Sequence, residues 1–501
     1  MSNNQLFAKK SLKGLLDEMA GENRLKRVLG PVALTSLGVG AVIGAGIFVA
    51  TGSAAHNVAG PALMLSYVVA GLTCIVAALC YAEFASMAPV AGSAYTYAYT
   101  TMGELFAWII GWDLVLEYAV GAATVANGWS GYFQSVLAKF NIHVPAFCNQ
   151  AAVIYKDGAF MATGSWFNLP AVAVTILVTL VLVKGISESA NFNALMVALK
   201  VAAVLFVILV GAFYIHPENW TPFAPYGWTG LSFFGIPVMG QTNPSGEPVG
   251  MLAGAAIIFF AYIGFDSVST HAEEAKNPQR DVPIAIMASL AICTVLYVAV
   301  VAVLTGMVKY DQIDANAGVS SAFKTAGLPW AEFIIAAAGV AGITSVLLVM
   351  MLSAPRVFLA MARDGLVPKK FFSDVHPKFQ TPWKSTLLIG AFVSVLAGFL
   401  PIDALLHLTN IGTLFAFVIV CAAVLIMRKT NPDAERPFRC PLVPLVPLLG
   451  IGACLMLMFS LPAANWWRLI AWLALGLVIY FSYGRHHSVL GKELRQAAKK
   501  T

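Results

Sequence analysis

Long apolar runs separated by short polar breaks repeat along the whole 501-residue chain. Most of these runs have about the 20 apolar residues that a helix needs to cross the ~30 Å hydrocarbon layer of a bilayer. They do not alternate with the period of two that is typical of a strand, so we predict helices. The twelve predicted spans are residues 30–54, 61–87, 104–136, 168–185, 190–215, 250–272, 282–308, 330–361, 383–400, 403–427, 441–461 and 465–484.

The amino-acid composition supports the same conclusion. Hydrophobic residues make up 59% of the chain and charged residues 11%, whereas a soluble globular protein carries roughly 25% charged residues. A chain of this length would form about three soluble domains, and it has too few polar residues to cover them. We therefore predict an integral membrane protein, and the composition argues against a secreted scaffold, a disordered protein and a nucleic-acid-binding protein.

The positions of the basic residues predict the orientation of the spans. If both termini are cytoplasmic, 24 of the 30 Lys and Arg residues lie on the cytoplasmic side, five lie outside, and Lys200 lies inside a span. This asymmetry agrees with the positive-inside rule, and it accounts for the net charge of +6 without an acidic partner. The first 29 residues do not have the pattern of a signal peptide, so we expect the chain in the cytoplasmic (inner) membrane of a bacterium.

The first span contains four glycines within nine residues, Gly38, Gly40, Gly44 and Gly46. Each of them costs a helix about 1 kcal/mol relative to alanine. Close packing of two helices, the alternative explanation, needs only one pair of small residues such as Gly40 and Gly44. Because the run is denser than packing requires, we predict that the helix unwinds here and exposes backbone donors and acceptors to a cavity inside the protein.

The sixth span is interrupted as well, since Gly264 is followed by Asp266 and Ser267 in the middle of an apolar run. A packed aromatic helix with one capped aspartate would explain this segment taken alone. If spans 1–5 and 6–10 are two repeats, however, both interruptions occupy the first helix of their half. Interrupted helices at matching positions are the best sequence indication of a transporter's binding site near the middle of the membrane.

The ends of the two broken helices indicate the kind of solute that such a site binds. Amide groups at the start of the outer half of the first helix favour a carboxylate, because several donors and the helix dipole point at it. Carbonyl groups of the unwound sixth helix are acceptors that suit an ammonium group. A site with both features fits a zwitterionic α-amino acid, although another small zwitterion would satisfy the same groups.

Several segments are similar to those of a known family of transporters. They are Gly38–Phe48, Ala82–Phe84, Gly92–Tyr95, Ala261–Asp266, Glu273–Pro283, Asn410–Phe415 and Phe438–Pro444. Together they resemble the amino acid–polyamine–organocation (APC) superfamily, and in particular the cationic amino acid transporter branch and its bacterial homologues. The resemblance covers nearly the whole chain, from about residue 25 to residue 488.

The resemblance implies an all-α membrane protein with 12 transmembrane helices, in which a leucine-transporter-type 5+5 inverted repeat is followed by two C-terminal helices. It also implies alternating access around a central amino acid. The predicted parts are a cytoplasmic tail (1–29), a first repeat with helices 1–5 (30–215), an external loop (216–249), a second repeat with helices 6–10 (250–428), helices 11 and 12 (441–484) and a second cytoplasmic tail (485–501).

The resemblance also implies which residues contact the substrate. Those expected to hold its carboxylate and backbone are Val42, Gly44, Ala45 and Gly46. Those expected to face its amine are Phe260, which is also the expected aromatic gate, Ala261 and Ile263. The expected helix-break and gating residues are Gly40, Gly264 and Asp266 together with Phe260. Ala45 stands where relatives often have a hydroxyl-bearing or small residue, so a hydroxyl contact is lost while the amide contacts are kept.

Met350 in the eighth span occupies the family position that faces the substrate side chain. Its thioether is bulky and offers no acceptor for a positive charge, so we expect it to shorten the pocket. We therefore predict import of small or medium neutral amino acids by symport with protons. The alternatives are an amino acid exchanger and a permease for cationic amino acids such as arginine, lysine and ornithine.

Three ionisable residues inside the spans are candidates for energy coupling. Lys200 is the only basic residue within a predicted span, and intramembrane ionisable residues are functional candidates by default. The resemblance implies that a lysine here replaces the sodium ion of sodium-coupled members, so we expect a proton gradient and no sodium site. Asp113 and Glu117 share a helix face, and they either form a structural network or have a role in proton or amine handling. We predict proton-coupling roles for Lys200 and Glu117.

The sequence does not favour an enzyme. Its histidines are scattered, no HExxH or GxSxG motif occurs, and no Cys/His spacing is typical of a metal site. We expect no cofactor, no metal, no nucleic acid and no obligate protein partner. The expected partners are the amino acid substrate, protons and the lipid bilayer.

Overall fold

The structure of the protein is a computed structural model. It describes residues 3–11, 29–87, 93–156, 159–185, 190–234, 236–244, 246–270, 275–314, 318–379 and 381–500. Most of the predicted N-terminal tail, residues 12–28, therefore lies outside the described residues.

Helices make up most of the described chain. The main ones are α1 (Pro31–Val42), α2 (Leu63–Met87), α3 (Ser93–Thr101), α4 (Glu104–Ala138), α5 (Leu169–Lys184), α6 (Ala190–Gly211), α7 (Met251–Ile258), α8 (Pro278–Met307), α9 (Gly318–Thr325), α10 (Pro329–Arg363), α11 (Trp383–Phe399), α12 (Ile402–Thr430), α13 (Leu445–Met458), α14 (Ala463–Ile479) and α15 (Val489–Lys500). Shorter α-helical segments cover Asn3–Leu6, Thr51–Ala54, Ser267–Thr270, Lys369–Phe372 and Arg485–His487. The 3₁₀ turns are Gly60–Ala62, Ala146–Cys148, Ala212–Tyr214, Pro217–Trp220, Phe259–Tyr262 and Tyr310–Gln312, and the π-helical turns are Gly46–Ala50, Ala55–Ala59 and Tyr480–Gly484.

The prediction of a mostly helical protein is confirmed. Within the described residues, seven helical stretches have the length and apolar composition to cross a membrane, and four apolar helices of 10–17 residues accompany them. The eleventh predicted span was too long at its start, because the helix begins at Leu445 and not at residue 441. Pro444 directly precedes that helix, and a proline disfavours helical geometry in the residue before it.

The outer surface of the bundle is apolar. Leu177 on α5, Leu209 on α6 and Val295 on α8 are 60%, 65% and 70% exposed. Exposed apolar surface of this extent is typical of a protein that faces lipid. The bundle is therefore built for a bilayer.

The centre of the bundle is α4, which packs against α10, α11, α12 and α14. The first helix, α1, packs against α6, α8 and α10. These contacts enclose the middle of the bundle, where the interrupted helices lie.

Strands occur only outside the helical bundle in the part of the chain that the structure describes. They form three antiparallel hairpins: β1 (Val153–Lys156) with β2 (Ala159–Ala162), β3 (Leu231–Phe233) with β4 (Ile236–Met239), and β5 (Gln241–Thr242) with β6 (Pro248–Val249). The prediction of an all-α protein did not include them. All six strands fall in two long loops, about residues 137–167 and 216–249, that the sequence predicts to be external. Backbone groups there can bond to water and need not be helical.

Candidate functional site

The first predicted span is interrupted in the structure. The helix α1 ends at Val42, Ile43 adopts an extended conformation with ψ of 108°, and a new helical stretch begins at Gly46. Gly40, which the glycine run marked as a break residue, instead lies in the last turn of α1. The interruption therefore covers about three residues and leaves the amide groups of Gly44 to Gly46 at the start of the second helical half.

Close packing also uses these glycines. A Cβ at Gly40 would lie 2.4 Å from Cγ2 of Val197 on α6, and one at Gly44 would lie 2.5 Å from Cγ2 of Val346 on α10. Contacts this short leave no room for a side chain. Unwinding and close packing were alternative explanations of the glycine run, and the structure contains both.

The sixth predicted span is interrupted as well. After α7 a 3₁₀ turn runs to Tyr262, Ile263 is extended with ψ of 133°, and Gly264 has φ of +115°. Such a φ favours glycine, and a Cβ at Gly264 would lie 2.9 Å from the carbonyl oxygen of Ala41. Helical structure resumes at Ser267, so Gly264 and Asp266 both lie in the interruption.

The two interruptions touch each other. A Cβ at Gly46 would lie 2.2 Å from the Cα of Ala261 and 2.5 Å from its Cβ. Val42, Ala45, Phe260 and Ile263 are all buried around this contact, each at most 3% exposed. The structure thus brings together in one buried region the backbone groups that were predicted to bind the two ends of an amino acid.

A residue that the sequence reasoning missed joins the two interruptions. The hydroxyl of Tyr297 on α8 lies 2.9 Å from the carbonyl oxygen of Val42 and 3.1 Å from that of Ala261. Tyr297 is fully buried and packs against the rings of Tyr67 and Tyr262. The available signal was a hydroxyl-bearing side chain within an apolar run, but our reasoning followed glycines and charges.

Met350 lies on α10 one helical turn after Val346, the residue that packs on Gly44. A Cβ at Gly121 on α4 would lie 3.1 Å from the Met350 sulfur. Met350 is 5% exposed. Its thioether therefore fills space between α10 and α4. The helix α10 also contacts the interruption of the first span, through Val346.

Lys200 is buried at 1% exposure, and its Nζ donates a hydrogen bond of 2.5 Å to the carbonyl oxygen of Gly40. A Cβ at Gly342 on α10 would lie 3.2 Å from the Cγ of Lys200. The side chain thus extends from α6 into the space between α1 and α10. A snorkelling lysine would instead reach towards the membrane surface.

A cluster of buried acidic residues lies beside the interruption of the sixth span. Glu117 on α4 has Asp266 and Asp113 as its electrostatic neighbours and Thr413 as a hydrogen-bonding neighbour. The hydroxyl of Tyr118 donates to Oδ2 of Asp266 at 2.7 Å. Both carboxylate oxygens of Asp113, and Oε2 of Glu117, are buried without a hydrogen-bond partner among the described residues. These carboxyl groups lie next to the interruption of the sixth span, because Asp266 belongs to it.

Glu83, at the predicted cytoplasmic end of α2, joins three chain segments. Its carboxylate accepts hydrogen bonds from Arg428 Nε and Nη2 at 2.9 and 2.8 Å, from Arg436 Nε at 3.1 Å and from the backbone amide of Cys440 at 2.8 Å. Glu83 therefore holds the end of α12 and the segment that leads to α13 against α2.

A helical membrane protein whose two interrupted helices meet in a buried region is a candidate transporter of small solutes. The chain belongs to the amino acid permease family, whose sequence model matches residues 29–480. The resemblance to APC transporters is thereby confirmed. Because its relatives are permeases and transporters, the chain is a transport protein and not an enzyme.

Three relatives indicate the range of substrates within the family. The chain is 44% identical over 487 residues to the methylthioribose transporter of Bacillus subtilis (strain 168), and 46% identical over 488 residues to the branched-chain amino acid permease BcaP of the same organism. Each match covers 97% of this chain and 99% of the relative. The human cationic amino acid transporter 4 is 36% identical over 431 residues, which is 84% of this chain and 63% of the relative.

Proposed function

We propose that the protein imports neutral α-amino acids of small or medium size across the cytoplasmic membrane, together with protons. The observation that carries this proposal is the contact between the two interrupted helices at Gly46 and Ala261. It places the start of one half-helix and the end of another at the same buried point. Alternating access in a twelve-span protein, with a 5+5 repeat and both termini in the cytoplasm, is the corresponding mechanism.

The substrate carboxylate binds the amide groups of Gly44, Ala45 and Gly46. Free amides at a helix start, reinforced by the helix dipole, bind anions. The substrate amine binds carbonyl oxygens of the stretch from Phe260 to Ile263. The Ala261 carbonyl already accepts from Tyr297, and a carbonyl oxygen has a second lone pair for the amine. Met350 limits the length of the part of the pocket that holds the substrate side chain, so long cationic side chains do not fit.

Two sets of buried ionisable groups near the interruptions support proton coupling. Lys200 donates a hydrogen bond to the carbonyl of Gly40 near the end of α1. A change in the protonation of Lys200 therefore alters the strength of its interaction with that helix. Its Nζ takes the place of a cation there, which is why we propose no sodium site. Glu117 and Asp113 have buried oxygens without partners among the described residues, and an unpaired buried carboxylate is relieved by taking up a proton.

The deciding experiment uses purified protein in sealed vesicles with an empty lumen. An inward proton gradient is imposed, and uptake of labelled amino acids is measured over a panel that includes leucine, alanine and arginine. Concentrative uptake of neutral amino acids, abolished by an uncoupler, is the expected result. Uptake that requires internal amino acid would instead establish an exchanger, and uptake of arginine alone would establish a cationic amino acid permease.

A second candidate substrate is methylthioribose, because a relative named as its transporter is 44% identical over nearly the full length of both chains. Methylthioribose has neither a carboxylate nor an amine, so it would leave the amides at Gly44–Gly46 without a charged partner. Competition against labelled leucine in the same vesicles separates the two substrates. If methylthioribose strongly inhibits leucine uptake and unlabelled neutral amino acids other than leucine do not, the second candidate is favoured.

A further inference from the structure

The two terminal segments of the chain meet on one side of the bundle. The side-chain amide of Gln5 donates to the carbonyl oxygen of Arg485 at 2.8 Å. A Cβ at Gly491, in the first turn of α15, would lie 2.3 Å from Nε2 of Gln5. Residues 3–11 and the segment from Arg485 onward therefore form one packed unit. We call it the terminal unit.

A buried carboxylate anchors the terminal unit to α4. Glu104, the first residue of α4, is fully buried and accepts from Gln5 Nε2 at 3.0 Å, from the hydroxyls of Tyr99 and Tyr480 at 3.0 and 2.9 Å, and from the hydroxyl of Ser488. Burial and the neighbouring Glu104 charge raise the pKa of Tyr99, so its hydroxyl stays a donor. The start of α15 is consequently fixed in place.

Beyond this anchor, the described part of α15 presents an exposed amphipathic surface. Leu490 packs against the hydrophobic core, whereas Leu494, one turn later on the same face, is 39% exposed. Lys492 and Arg495 are exposed beside it, and Nη2 of Arg495 also donates a hydrogen bond of 3.1 Å to the carbonyl oxygen of His486. The chain from Arg485 onward carries five Lys and Arg residues and a single acidic residue, Glu493.

Residues 3–11, the N-terminal part of the terminal unit, also expose an apolar side chain together with a basic one. Phe7 is 57% exposed, although its ring lies 6.4 Å from that of Phe106 on α4, and Lys9 is exposed. Exposed apolar side chains flanked by basic ones are typical of a surface that lies in the interface of an anionic membrane.

We propose that the terminal unit is a docking surface for anionic lipid headgroups of the cytoplasmic leaflet. Lys9, Lys492 and Arg495 bind the headgroups, and Phe7 and Leu494 enter the boundary between headgroups and acyl chains. Charge complementarity selects lipid as the occupant, because the segment from Arg485 onward follows the last apolar helix and carries five basic residues against one acidic residue. The inference rests on the proposed orientation with cytoplasmic termini, and it does not depend on the identity of the transported solute.

The test measures the depth of a nitroxide label attached to Leu494→Cys. The seven native cysteines are all buried, and unmodified protein treated with the label controls for reaction at those sites. The labelled full-length protein is reconstituted in phosphatidylcholine alone and in an equal mixture of phosphatidylcholine and phosphatidylglycerol. Collisions of the label with oxygen and with a water-soluble nickel chelate are compared by electron paramagnetic resonance.

We expect the ratio of oxygen to nickel accessibility to rise several-fold in the anionic vesicles. The double variant Lys492→Gln/Arg495→Gln should lose this rise. The double variant Lys369→Gln/Lys370→Gln removes the same charge from exposed lysines of another predicted cytoplasmic segment, and it should keep the rise.

Three outcomes would overturn the proposal. The first is equal accessibility in the two lipid mixtures. The second is an equal loss of the rise in both double variants, which would mean that only net charge matters. The third is spin–spin broadening between labels in either lipid, which would mean that a second copy of the chain covers the surface. Failure of amino acid transport in the same vesicles would affect the proposed function and not this inference.

Discussion

The Nζ of Lys200 lies 2.5 Å from the carbonyl oxygen of Gly40, in the last turn before the interruption of the first span. We expect Lys200→Ala to lose pH-driven accumulation of substrate, because the variant lacks the amine that contacts the carbonyl oxygen of Gly40 near the end of α1. Uptake by the wild type and the variant is measured in vesicles with and without a proton gradient. Substrate binding in detergent shows whether the variant is folded. Full gradient-driven accumulation by a folded Lys200→Ala protein would contradict the coupling role.

Tyr297→Phe should weaken substrate binding. The variant leaves the carbonyls of Val42 and Ala261 without the hydroxyl that lies between them, and an unsatisfied buried group costs about 1–3 kcal/mol. If part of that cost falls on the bound state, affinity declines roughly tenfold. Equilibrium binding of labelled substrate is the measurement.

A matched control for Tyr297→Phe is Tyr226→Phe. It removes a hydroxyl that donates to the carbonyl oxygen of His56 at 2.5 Å, away from the interruptions. We expect the control to bind like the wild type. Equal effects of the two variants would mean that Tyr297 acts on general stability and not on the site.

Met350→Ser should admit longer and cationic substrates. The smaller side chain opens the space that the thioether occupies beside Gly121, and its hydroxyl adds an acceptor. Inhibition of leucine uptake by arginine and lysine is measured for both proteins. Met351→Ser changes the adjacent buried methionine and should leave the competition profile unchanged. Unaltered profiles in both variants would refute the assignment of Met350 to the pocket.

Gly46→Ala should abolish substrate binding while the protein still assembles. The new Cβ would lie 2.2 Å from the Cα of Ala261, so one of the two interrupted backbones has to shift. Gly452→Ala on α13 is the control, since nothing lies within 4 Å of its new Cβ. Size-exclusion chromatography monitors assembly, and a scintillation proximity assay measures binding. Normal affinity of Gly46→Ala would show that transport does not need this close approach.

Glu83→Gln should lower the thermal stability of the protein. Arg436 is 7% exposed and pairs with Glu83, and breaking a buried ion pair costs about 3–5 kcal/mol. Asp374→Asn breaks a pair with Lys384 in which both side chains are about one-third exposed, and it should cost at most about 1 kcal/mol. Melting temperatures in detergent are compared. A Glu83→Gln protein as stable as the Asp374→Asn protein would disprove the structural role of Glu83.

Much of the secondary structure was predictable because a bilayer imposes simple rules. The third predicted span, 104–136, corresponds to Glu104–Ala138, and the fourth, 168–185, corresponds to Leu169–Lys184. The length of an apolar run decides whether such a segment forms a helix across the membrane, since backbone groups in lipid have to be bonded within the helix. The three hairpins, in loops that we predict to be external, were not predicted because no such rule applies to backbone that can bond to water. The number of spans and the repeat remain predictions.

The sequence by itself determined that the chain is a helical membrane protein of a transporter family, where most of its long apolar helices lie, and that the first and sixth predicted spans are interrupted. These properties depend on local composition, which one-dimensional patterns record. Only the tertiary structure decided that Gly46 meets Ala261, that Tyr297 lies between the two interruptions, and that Lys200 reaches Gly40. These contacts join residues far apart in the chain, and their geometry depends on how helices cross, which no local pattern records.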